Sequence, residues 1–208
     1  MSYTSRHGWL AVAMTALFAL TVLFAFPPPV GAASAPGPTE LGCVPDVTCP
    51  RPSLPCPNGD IQPAPGNLAD IRHSTLCLLN IQRAKHKLIR FRENGQLGAV
   101  AARYARRMVD LSFFAHVTPG GQTFVRRIEQ SAYLAHANGY EVGENLAWGE
   151  GFLATPRQIV RSWMHSPEHR ANILNGHFRD IGFGVALGTP VAGGGPGATY
   201  VNEFGRRG

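Results

Sequence analysis

In this 208-residue chain, the residues best suited to chemistry fall in three separated segments. They are Phe113-Phe114-Ala115-His116, Gly143-Glu144-Asn145-Leu146-Ala147 and Trp163-Met164-His165-Ser166-Pro167-Glu168-His169-Arg170-Ala171-Asn172-Ile173-Leu174; Tyr200-Val201-Asn202-Glu203-Phe204-Gly205 follows near the C-terminus. Two neutral imidazoles, His116 and His169, with the Glu144 carboxylate could hold Zn²⁺ or a similar divalent cation. A catalytic zinc normally takes three protein ligands plus water. If Glu144 is the third ligand, it is not also the free base of a metal-assisted hydrolase. With the histidines alone, the site binds metal weakly and exchanges it. Taken singly, His116 reads as a turn residue bonded to backbone, and Glu144 as a cap or the partner of an arginine. His169 lies in the first turn of a helix, where the dipole favours its neutral form. Asn172 and Asn202 either line a cleft or satisfy backbone groups.

Other chemistries lack their residues. There is no GxSxG, HExxH, P-loop or dinucleotide fingerprint. Ser166 precedes Pro167 and is expected to cap a helix, which makes it a poor nucleophile. His165 and His169 are four apart, but the Ser166-Pro167 start signal between them puts them on different helices. The net charge is +6, yet the basic residues occur in scattered pairs such as Arg106-Arg107, Arg126-Arg127 and Arg206-Arg207. That distribution argues against nucleic acid and suits an envelope polymer, a lipid headgroup or a small ligand.

The elements that must position these residues follow from periodicity. Leu68, Ile71, Thr75, Leu78, Leu79 and Gln82 predict a first helix running to about Lys87, with Asn67 as its cap. Leu97, Val100, Ala101, Tyr104, Ala105, Met108 and Val109 form the apolar stripe of a second. Pro119-Gly120-Gly121 breaks the chain before a short third helix from about Phe124 to Ser131. Thr155-Pro156 and Ser166-Pro167 open two more, the first reaching Trp163 or Met164. Ile181–Leu187 and Thr199–Phe204, joined by a Gly/Pro loop, read as a β-hairpin.

In order and spacing, the four quoted segments resemble the CAP superfamily (cysteine-rich secretory proteins, antigen 5 and pathogenesis-related proteins), in its bacterial SCP-like branch. Leu78-Leu79-Asn80-Ile81-Gln82-Arg83-Ala84 is similar to that branch's first helix. The resemblance implies an α+β fold, a three-layer α-β-α sandwich with a small central antiparallel sheet, over residues 67–205. It also implies a shallow cleft in which His116 and His169 match the two histidines and Glu144 the acidic residue of the GEN segment. A further acidic residue of eukaryotic relatives has no match; Trp163, Met164 and His165 occupy its neighbourhood. The function implied is a secreted or surface binding module for a divalent cation, lipid or envelope ligand. The alternative is a metal-assisted hydrolase of peptide or cell-wall bonds with Glu144 as base.

The N-terminal third is built differently. Arg6 and His7 precede an apolar run from Trp9 to Phe26, followed by small residues around Val30–Ala35, which is a signal-peptide layout with cleavage expected near Ala32 or Ala33. An uncleaved anchor is the other reading, and it makes this segment the chain's membrane contact. Residues 34–66 form a proline-rich spacer. The four cysteines, Cys43, Cys49, Cys56 and Cys77, predict disulfides in an oxidising compartment, with Cys77 pairing to one of the upstream three.

Overall fold

The computed structural model describes residues 56–208. Five α-helices, α1 (Leu68–Lys85), α2 (Gly95–Asp110), α3 (Phe124–Glu129), α4 (Pro156–His165) and α5 (Pro167–Leu174), enclose four strands. The strands are β1 (Arg92–Glu93), β2 (Tyr140–Glu150), β3 (Asp180–Leu187) and β4 (Gly197–Arg207), in spatial order β1-β3-β4-β2. The β2–β4 and β3–β4 pairs are antiparallel, as expected; the two-residue β1 adds to β3 in parallel, so the sheet is mixed.

Alternation along the strands sorts side chains into two cores. Ile181, Phe183, Val185, Ala198, Tyr200 and Phe204 face one way, into a core shared with α1, α4 and α5. Ala186, Val201 and Leu146 face the other way and meet Ala101, Tyr104, Ala105 and Met108 of α2. The seat of α2 on the sheet depends on two glycines of β3. A Cβ on Gly182 would collide with the Leu97 carbonyl carbon, and one on Gly184 with the Ala101 oxygen. Only a bare backbone lets the helix lie this close.

Buried polar groups tie the layers. Arg83 of α1 is fully buried and donates to the carbonyls of Ile89, Ile173, Asn175 and Phe178. Burial lowers its pKa to about 10, with Arg179 adding to the shift. Asn80 exchanges two hydrogen bonds with the backbone of Phe91. These contacts explain the polar positions of the Leu78–Ala84 segment: they close the connection from α1 to the sheet.

Helix starts differ from expectation in detail. Asn94 accepts from the amides of Gln96 and Leu97, and Thr123 from that of Arg126. Asn67 does not cap α1; its amide group instead links the preceding turn to Ala64 and Gln62. Thr155 and Ser166 also make no side-chain cap, so Pro156 and Pro167 alone mark those starts. On α4 the Arg157 amide is satisfied from outside, by the Gly59 carbonyl.

Residues 56–66, at the end of the expected spacer, pack on the domain. Cys56 is buried in the main core and disulfide-bonded to Cys77, while Ile61 packs beside it. The pairing of Cys77 with an upstream cysteine is therefore present. Cys43, Cys49, the spacer before Cys56 and the signal segment lie outside the described residues. Among the described residues no helix is long and apolar enough to cross a membrane.

Candidate functional site

Glu144 sits near the middle of β2, directly opposite Glu203 of β4, and Asn145 sits opposite Asn202. Because side chains alternate, both glutamates face the α2 and α3 side and both asparagines face α5. The local sequence predicts no strand across Tyr140–Glu150. Glycine, glutamate and asparagine at its centre disfavour one intrinsically, and pairing with β4 over its whole length overrides that preference.

The Glu144 side chain is fully buried, and both of its oxygens are engaged. Its Oε1 lies 2.7 Å from His116 Nδ1, and its Oε2 accepts from Arg127 Nη2 at 2.6 Å. A carboxylate can only accept, so Nδ1 carries the proton when the imidazole is neutral. His116 Nε2 is then left with its lone pair, on a side chain 49% exposed. Glu144 thus orients a histidine, and each of its oxygens already holds one hydrogen-bond partner.

Arg127 organises this half of the site. From α3 it donates through Nη1 and Nη2 to the His116 carbonyl, through Nη1 to that of Gln122, and through Nη2 to Glu144. Its guanidinium stacks 3.3 Å from the centre of the Tyr104 ring. The Tyr104 hydroxyl in turn donates to the Ala115 carbonyl, which holds the loop carrying His116. In the sequence Arg127 reads only as half of a scattered basic pair. The available signal is its position beside Ile128 on a six-residue helix, where one of two adjacent arginines must turn inward.

Glu203 is the second residue not anticipated. It is fully buried, and no nitrogen donor reaches its oxygens among the described residues. Burial, then the neighbouring Glu144 charge and a hydrogen bond to that carboxylate, push its carboxyl well above the usual carboxylate range, with Arg127 pulling the other way. The available signal is a carboxylate on the β4 face that Thr199 and Val201 share.

His169 approaches from α5. Its carbonyl accepts from Asn145 Nδ2, and Asn172 Nδ2 bonds both Asn145 Oδ1 and the Glu144 carbonyl. Asn172 therefore fastens α5 to β2. Burial lowers the pKa of His169, and the His116 charge lowers it further, against a smaller opposite effect of Glu168. The neutral form is favoured, as expected, but through burial and His116. His165 ends α4 with its Nδ1 against the Arg161 carbonyl, away from this cluster.

Two imidazoles and an engaged carboxylate fall short of a closed metal centre. Among the described residues, no group of three or more His, Cys, Asp or Glu side chains is placed to hold an ion. The donor set does not fit a resident zinc with three protein ligands.

This architecture is matched by known proteins. The family model of the cysteine-rich secretory protein (CAP) family covers residues 76–194, and the chain belongs to that family. The uncharacterized protein YkwD of Bacillus subtilis is 31% identical over 122 residues, which are 58% of this chain and 44% of that protein. The uncharacterized membrane protein YlbC of the same organism is 28% identical over 110 residues, 53% of this chain and 30% of that protein. The chain thus spans less than half the length of these curated relatives. Among solved structures, an outer surface protein of Borrelia burgdorferi superposes with a TM-score of 0.51 at 23% identity, covering 62% of this chain and 87% of that one. An extracellular SCP-domain protein of Bacillus anthracis gives 0.50 at 23%, covering 68% and 44%. At these identities the structures establish the shared fold.

Proposed function

We propose that this chain is an exported CAP-domain binding module, in which His116 and His169 take a ligand from outside the cytoplasm. The observation that carries this reading is the engagement of both Glu144 oxygens, by His116 and by Arg127. A buried carboxylate that fixes one imidazole tautomer presents Nε2 outward and is not free to activate water. The N-terminal apolar segment and the extracellular and outer-surface relatives support export. The outward groups suit a divalent cation held weakly, or a polar group of a lipid or envelope component.

The test is Zn²⁺ titration by calorimetry on the wild type, His116→Ala and His169→Ala. Weak binding that falls about tenfold in each variant is expected, the loss of one metal–imidazole bond. Equal binding in all three proteins removes the shared site. Turnover of wall peptides that vanishes in Glu144→Gln would replace this reading with the hydrolase.

A further inference from the structure

Beyond the histidine pair, the molecule has a second polar concavity, a groove of about 390 Å³ between α2 and α3. Val100, Arg103, Tyr104, Arg107, Gln122, Arg127 and Gln130 line it. Three of these side chains are cationic and none is acidic. We propose that this groove is a binding site for a phosphate-bearing anion, with Arg103 and Arg107 on its rim and Arg127 on its floor.

Three observations converge on it. Arg103 and Arg107 are four residues apart on α2, so their guanidinium groups are neighbours on one helix face, an arrangement that is mildly destabilising without counter-charge. Both are exposed, and neither pairs with a carboxylate among the described residues. Arg127 is only 8% exposed, and its buried Nε has no hydrogen-bond partner among the described residues. Its nitrogens Nη1 and Nη2 are occupied by carbonyls and by Glu144, so Arg127 adds a fixed guanidinium beneath the groove and leaves direct contact to Arg103 and Arg107. Finally, Gln122 Nε2 donates to Gln130 Oε1, and the Gln130 amide nitrogen, with no acceptor among the described residues, is a further donor at the groove.

Guanidinium forks match the oxygens of a phosphate, and several cationic donors around one concavity favour a multiply charged group over a lone carboxylate. The site shares Arg127, Tyr104 and Gln122 with the surroundings of the histidine cluster, and its test leaves all three intact. It stands or falls separately from the proposed function.

The experiment compares the purified full-length protein with Arg103→Gln/Arg107→Gln and with a charge-matched control, Arg106→Gln/Arg126→Gln, whose positions lie outside the groove. The probes are inorganic tripolyphosphate, followed by calorimetry, and phosphatidylglycerol vesicles, followed by co-sedimentation. At least one probe is expected to bind. The groove variant should weaken that binding about tenfold and the control about twofold or less, a difference set by lost charge-assisted hydrogen bonds over bulk charge. Tripolyphosphate binding alone identifies a soluble phosphate as the ligand, and vesicle binding alone a headgroup; either supports the site. Absence of binding to both probes, full binding by the groove variant, or an equal loss in the control overturns it.

Discussion

Glu203 is the residue whose position makes the strongest demand. A carboxyl that no nitrogen donor reaches, buried beside the Glu144 carboxylate, favours its protonated form, so its folded-state pKa exceeds the unfolded value. The sign follows by linkage. Below the unfolded pKa both states hold the proton and nothing is lost; as pH rises through that value the unfolded chain ionises first, and stability falls until the folded carboxyl ionises too. Glu203→Gln removes the titration while keeping shape. The variant's melting temperature should exceed wild type by a margin that grows from about pH 4 to about pH 7. A margin that stays constant, or reverses, would show that folding does not raise the pKa of Glu203. Arg127 is the counterweight at this scale: one buried guanidinium fixes Glu144, the His116 loop and the Tyr104 ring together.

The seating of α2 decides where those residues meet. Its apolar stripe was legible because Leu97, Val100, Ala101, Tyr104, Ala105 and Met108 repeat at helical spacing and are all buried. What the stripe packs against was not legible, since the sheet answers it partly with missing side chains, at Gly182 and Gly184. Gly184→Ala would press a methyl group into the Ala101 carbonyl and force the helix off the sheet. Urea denaturation should show a loss of about 3 kcal/mol or more, the upper end for overpacking, because backbone cannot rotate away as a side chain can. A loss below about 1 kcal/mol would mean that α2 shifts at little cost, and that the site tolerates the shift.

For the molecule as a whole, the segment before α1 acts as a strap. Cys56 joins it to α1 through Cys77, Ser74 donates to the Pro57 carbonyl, and Asp60 accepts two hydrogen bonds from Arg157 of α4. The disulfide spans a sequence separation of 21 residues. A loop of that size stabilises by about 3 kcal/mol, chiefly by restricting the unfolded chain. Cys56→Ser/Cys77→Ser should therefore lower the melting temperature while keeping the far-ultraviolet helical signal at low temperature. An unchanged melting temperature would mean that the polar contacts of the strap hold it alone.

Local patterns determined much of this protein. Helix positions came from apolar periodicity and proline start signals, the terminal hairpin from its Gly/Pro loop, and His116, Glu144 and His169 from segments that resemble a known family. Short-range rules suffice there because a helix stripe or a turn is defined by its neighbours in the chain. Tertiary structure alone decided the rest. Tyr140–Glu150 becomes a strand because β4 pairs with all of it, against local preference. Arg127 and Glu203 join the site because a helix and a strand far apart in sequence bring them onto Glu144. That meeting engages both oxygens of Glu144, so a carboxylate singled out in the sequence is found holding a histidine and an arginine in place.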